Sequence, residues 1–62
     1  MNNNTEDFKR VKEIALLLRV NPITVYGYIQ AGELTAVKIG RSYRVEWSEF
    51  LRFIDRHKTN NI

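Results

Sequence analysis

Only three residues, Arg19-Val20-Asn21, separate two stretches of helical periodicity in this chain. So short a link leaves room for nothing but a tight corner between two helices. Upstream of it, Ile14, Ala15 and Leu18 follow helical spacing, with Val11 three residues earlier on the same face, and predict a short helix over Lys12–Leu18. Downstream, Asn21-Pro22 supplies a side-chain cap and then a residue locked at helical φ whose missing N–H costs nothing in the first turn. Val25, Tyr28 and Ile29 give the second helix its apolar stripe, and Gly32 stands where a left-handed residue ends it, so the helix is expected over Pro22–Ala31. Val20 is left to plug the corner into the core.

After Gly32 the pattern alternates. Val37 and Ile39 share one face, Gly40-Arg41-Ser42 forms a three-residue loop, and Tyr43 and Val45 share a face of the return strand. Helical spacing resumes with Trp47, Phe50, Leu51 and Ile54, predicting a third helix over Trp47–His57. The order helix, tight turn, helix, hairpin, helix predicts a small α+β fold, a winged helix-turn-helix with a β-hairpin wing and a C-terminal helix. It is expected to occupy residues 8–58, between polar, Asn-rich tails at 1–7 and 59–62.

A chain of 62 residues holds one core. Without cysteine and with a single histidine it has neither disulfides nor a closed Cys/His zinc site to reinforce that core. Its 44% hydrophobic and 27% charged residues are those of an ordinary globular domain rather than a disordered segment. The longest apolar run, Ile14 to Leu18, is far short of a membrane span, and Met1 to Asp7 lacks the basic stretch and apolar core of a signal peptide. A cytoplasmic location and no membrane partner are expected.

Catalysis finds no support. Glu13, Glu46, Glu49 and Asp55 are scattered singly beside basic residues instead of being paired in a cleft. His57 lies in the last turn of the third helix, where a basic side chain suits the negative end of the dipole. Gly27, Gly32 and Gly40 form no phosphate-binding fingerprint. No enzymatic activity, metal, cofactor or small-molecule ligand is expected.

The net charge of +3 leans toward a polyanionic partner. In a helix-turn-helix the second helix enters the major groove of double-stranded DNA while flanking elements hold phosphates. The groove face would comprise Asn21, Ile23, Thr24, Tyr26, Gly27 and Gln30. Thr24 suits a base edge or phosphate, Ile23 a thymine methyl, and Gln30 an adenine. From Pro22 to Glu33 there is no Lys or Arg, so strong guanine readout by this helix is not expected. Gly27, costing about 1 kcal/mol relative to Ala in mid-helix, hints at a close approach there or is a neutral choice on a tolerant face. Positive charge gathers instead in Lys9-Arg10-Val11-Lys12, at Arg19 in the corner, and at Lys38, Arg41 and Arg44 in the wing. Alternation predicts Lys38 and Arg44 opposite Ile39 and Val45, with Arg41 at the tip, either on phosphates and a minor groove or as charges that discourage edge pairing.

Trp47, Phe50, Leu51, Phe53 and Ile54 cover an arc of about 160° at about 100° per residue. A small core short of mass explains such a width, and so does a partner contact, for which Phe53 at the margin is the candidate. This surface would suit a protein-binding adaptor.

Val11-Lys12-Glu13-Ile14-Ala15, the corner before Asn21, Thr24-Val25-Tyr26, the string from Gly32 to Arg41 and Tyr43-Arg44-Val45 together resemble the excisionase-like, MerR-related winged-helix family of small DNA-binding proteins in bacteria and mobile elements. The most specific piece is Gly-x-Leu-x-x-x-Lys-x-Gly-Arg, from Gly32 through Lys38 to Gly40 and Arg41. The resemblance implies DNA binding without catalysis, in a bacterial nucleoid or mobile-element setting. Asn21, Ile23, Thr24, Tyr26 and Gly27 would lie on the groove helix, and Lys38, Gly40, Arg41, Ser42 and Arg44 on the wing. Members act as excisionases, bending DNA and assisting an integrase, or as small transcriptional regulators. The lack of an effector domain or long dimerisation helix favours the first role here. Three departures stand out: Arg19 occupies a turn position that is often Gly, Gly27 replaces a frequent basic residue, and Arg10 replaces a frequent Ser/Thr cap, so the first helix is expected to start loosely.

Overall fold

The computed structural model describes residues 8–59, and the tails expected at 1–7 and 59–62 lie outside them apart from Thr59. Within that range the chain runs β1 (Phe8–Arg10), α1 (Val11–Leu18), α2 (Pro22–Gln30), β2 (Val37–Ile39), β3 (Ser42–Glu46) and α3 (Trp47–Arg56). The strands form an antiparallel sheet in the order β1-β3-β2. This is a winged helix-turn-helix, and β1 is its one unexpected element.

Both helices of the corner end in the same pair of backbone bonds. At the end of α1 the Arg19 N–H reaches the Leu16 carbonyl and the Val20 N–H reaches Ala15; at the end of α2 the Gly32 N–H reaches Ile29 and the Glu33 N–H reaches Tyr28. This Schellman arrangement requires a left-handed residue past the last turn. Gly32 adopts it at φ 81° and Arg19 at φ 59°. α2 opens as its sequence prescribes, with the Asn21 Oδ1 accepting the Ile23 N–H at 2.9 Å ahead of Pro22.

α1 does not start loosely. Arg10 at its N-cap makes no side-chain cap bond, but its N–H is accepted by Glu13 Oε1 at 2.7 Å, and the preceding residues are held in β1 against β3. A glutamate three residues into the helix performs half of a capping box without the hydroxyl.

Val11, Ile14, Ala15, Val25, Leu34, Val45, Phe50 and Phe53 form the buried core, with Leu18, Val20, Tyr28, Ile29, Trp47 and Ile54 packed around it. The third helix corrects the expectation of its inner face. Phe53 is 4% exposed and Leu51 49%, so Phe53 is a core residue and no partner contact. Two aromatic clusters explain the difference: Trp47 meets Phe50 at 5.1 Å between centroids, and Tyr28, Phe53 and the His57 ring meet one another, with Phe53 at 5.0 Å from Tyr28 and 4.2 Å from His57. Periodicity measured from Trp47 and Leu51 puts the stripe's centre too far to one side.

The wing also differs in register. Ile39 pairs with Ser42, so the loop is the two residues Gly40-Arg41 and Ser42 belongs to β3. Of these two only Gly40 has positive φ, at 61°, which is the requirement of a type II′ turn and leaves the second position open to arginine. Lys38 pairs with Tyr43 and Val37 with Arg44. Directly paired residues share a face, so Lys38 lies with Tyr43 and Val45, while Arg44 lies with Val37 and Ile39. The two cations therefore leave the hairpin on opposite faces, contrary to the simple alternation.

Candidate nucleic-acid interface

α2 buries Val25 completely and packs Tyr28 and Ile29 on the core, which turns Ile23, Tyr26, Gly27 and Gln30 outward at i, i+3, i+4 and i+7, with Thr24 beside them. Ile23 is 75% exposed at the first turn. Asn21 spends its side-chain oxygen on the cap and keeps its amide N–H groups as donors. Gln30 ends the helix, about 10 Å along the axis from Ile23 at 1.5 Å per residue. Nothing lies within 4 Å of a Cβ built on Gly27. Packing inside the protein therefore does not demand glycine there.

Tyr26 joins this face to the wing, its ring edge-on to Tyr43 at 5.9 Å. The Lys38 Nζ sits 5.9 Å from the centroid of the same Tyr43 ring. This chain of contacts places Lys38 on the α2 side of the sheet. Arg41 and Ser42 are exposed at and beside the wing tip, and Arg44 is partly buried, one guanidinium N–H donating to the Tyr43 carbonyl at 3.2 Å. Arg19 is exposed at the corner that precedes α2.

The charge distribution is two-sided. Among the described residues the ion pairs are Arg52–Glu49, Lys58–Asp55 and, when the imidazole is protonated, His57–Glu33, all on or beside α3. Arg56 adds a guanidinium hydrogen bond to the Glu33 carbonyl on that side. Arg10, Lys12, Arg19, Lys38, Arg41 and Arg44 have no carboxylate within ion-pair distance among the described residues. The sequence places Arg19, Lys38, Arg41 and Arg44 at the interface, but offers Arg10 and Lys12 only as part of a basic run. These two, with Tyr26, Ser42, Tyr43 and Arg44, line a cleft of about 150 Å³ between the start of α1, α2 and β3. Only the strand β1, too short for periodicity to detect, brings Arg10 next to Arg44.

Among the described residues there is no group of three or more His, Cys, Asp or Glu able to hold a metal ion, and no helix long and apolar enough to cross a membrane.

A left-handed arginine carries a cost, since a Cβ is disfavoured at positive φ by about 1–2 kcal/mol. Arg19→Gly is accordingly expected to raise Tm by about 4–8 °C for each kcal/mol of strain relieved. If Arg19 contacts a phosphate, the same substitution weakens duplex binding. Thermal melts and titrations on one preparation separate the two effects, and a lowered Tm counts against strain at this corner.

Residues 10–58 match the helix-turn-helix domain family, and the chain belongs to it. Two proteins of Mycobacterium tuberculosis are similar over a shorter stretch: "Putative DNA-binding protein MT0521" of strain CDC 1551 / Oshkosh and "Putative DNA-binding protein Rv0500A" of strain ATCC 25618 / H37Rv. Each is 54% identical over 35 residues, 56% of this chain and 45% of the relative. The match thus spans less than half the length of either relative. No solved structure matches the chain.

Proposed function

We propose that the protein binds double-stranded DNA, with α2 in the major groove and the wing on the adjoining backbone, and acts as an excisionase-type architectural factor that bends its site and assists an integrase. The observation that carries this reading is the set of cations around α2 and the wing that lack a carboxylate partner among the described residues, beside a helix face that leaves Ile23, Thr24, Gly27 and Gln30 exposed. Phosphate contacts position a protein on a duplex, whereas base contacts specify the sequence. Here the cations flank the groove helix and none lies on it. Affinity then comes from the backbone, and selectivity from Ile23, Thr24, Asn21 and Gln30 and from the deformability of the site. That balance favours an architectural protein over a reader of guanine-rich sites. The names of the two mycobacterial relatives agree with DNA as the ligand.

Selection from a random duplex library at about 0.15 M salt, where non-specific binding is weak, tests the proposal. Enrichment of A·T-rich direct repeats is the expected result, because copies placed side by side read tandem sites. Inverted repeats assign the protein to the small MerR-like regulators, which bind as symmetric dimers. A pool with no enrichment overturns sequence-dependent recognition by the protein alone and turns attention to the exposed Leu51 on α3 as an adaptor surface.

A further inference from the structure

Arg10 and Arg44 are direct partners across the β1–β3 ladder. Like charges in that position repel and weaken the sheet. No ion pair neutralises either arginine among the described residues. Glu13, three residues after Arg10, is bonded to the Arg10 backbone N–H, and Glu46, two residues after Arg44, makes no ion pair among the described residues. Both arginines instead line the cleft described above. It opens where β1 ends and β3 continues to Tyr43 and Ser42, and Lys12 and the exposed edge of Tyr26 complete its wall. Arg10, Lys12 and Arg44 thus line, with Val11, Tyr26, Ser42 and Tyr43, a space of about 150 Å³, with the Arg44 guanidinium held on the Tyr43 carbonyl, and that space is several times the volume of about 30 Å³ that a water molecule occupies in the liquid. An anion with several acceptor oxygens satisfies this lining and removes the repulsion. Arginine forks suit phosphate oxygens in particular.

We propose that this cleft is a binding site for one phosphodiester group of the DNA backbone, with Arg10 and Arg44 sharing a single phosphate beside the groove occupied by α2. The proposal rests on the reading of the protein as a duplex-binding module. It adds a contact from β1, ahead of the helix-turn-helix, that clamps the backbone between the first helix and the wing. Tyr26 belongs to both surfaces, so a phosphate seated here fixes how deeply α2 enters the groove.

The test is a neutralisation scan on the full chain. Duplexes of the selected site, each with one phosphate replaced by an uncharged methylphosphonate, are titrated with the native protein and with Arg10→Gln, Arg44→Gln and the double variant. One linkage is expected to cost the native protein about tenfold in affinity, as removal of a charge-assisted hydrogen bond does, and to cost the double variant nothing further. The double variant's log–log salt slope is expected to fall by about one unit, the value for one phosphate and not two. Its Tm is expected to hold or rise, because a repulsive pair is removed. A linkage profile identical for the native protein and Arg10→Gln, or a slope reduced by about two units, overturns the shared site. Inorganic phosphate titrated into the free protein is expected to leave Tm nearly unchanged at millimolar concentration. Strong stabilisation that Arg10→Gln abolishes assigns the cleft to a free phosphate ligand and overturns the backbone contact. If the native protein binds no duplex at any salt concentration, the proposed function itself falls, an outcome distinct from a native protein and an Arg10→Gln variant that bind equally well.

Discussion

Phe53→Ala is expected to leave a chain that is largely unfolded at 37 °C. Phe53 is 4% exposed and packs with the Tyr28 ring at 5.0 Å and the His57 ring at 4.2 Å, which themselves lie 6.4 Å apart. Truncating a buried phenylalanine costs about 3–5 kcal/mol, and a single core in so small a chain supplies little more than about 3–5 kcal/mol in all. Loss of the side chain also removes the ring on which the His57 imidazole packs at 4.2 Å. Leu51→Ala, two residues away on a half-exposed surface, is expected to change stability by about 0.5 kcal/mol or less, as surface substitutions do. Thermal melts followed by circular dichroism compare the two directly. A Phe53→Ala variant that melts within a few degrees of the native protein overturns the placement of Phe53 in the core. The contrast also bears on any partner assay, because a Phe53 variant fails to bind simply by failing to fold. Leu51 is the residue that tests a partner surface on α3.

The helices are legible in the sequence because their signals are local. Asn21-Pro22 opens α2, Gly32 closes it, and the stripes of α1 and α2 repeat at helical spacing, so each helix announces itself within a few residues. The third helix is legible as an element but not in its rotation, since five apolar residues on a wide arc leave open which edge faces inward. The cluster of Tyr28, Phe53 and His57 decides it, and that depends on where α2 lies. Register in the wing is illegible for a similar reason. Gly40-Arg41-Ser42 reads as a loop of three until the pairing of Ile39 with Ser42 is known, and one residue of slip moves a side chain to the other face. β1 leaves no trace: Phe8-Lys9-Arg10 has too few residues for alternation, and its pairing with residues 44–46 spans most of the domain. Without that strand nothing in the sequence assigns Arg10 to a site, whereas Arg44 sits in a recognisable hairpin.

The largest expected effect on binding belongs to the wing. Lys38→Gln and Arg41→Gln together are expected to lower affinity for the selected duplex by about 100-fold near physiological salt, about tenfold for each charge-assisted phosphate interaction removed. The salt slope is expected to flatten by about 0.9 unit per phosphate, nearly two in all. The magnitude follows from position. Gly40 turns the chain at φ 61° so that Arg41 stands at the tip, and Lys38 is carried on the Tyr43 ring toward the α2 side of the sheet. Neither side chain has a carboxylate partner among the described residues, so their removal leaves no unpaired acid there. Stability is expected to shift by no more than about 0.5–1 kcal/mol, the value of the exposed cation–π interaction made by Lys38. Charges that merely discouraged edge pairing on β2 would give the opposite pattern: the double variant would keep its affinity and slope and associate at high protein concentration. Binding isotherms at several salt concentrations, with sedimentation of the free variant, distinguish the two. An unchanged slope removes the wing from the interface and leaves α2, Arg19 and the cleft at Arg10 to account for any affinity that remains.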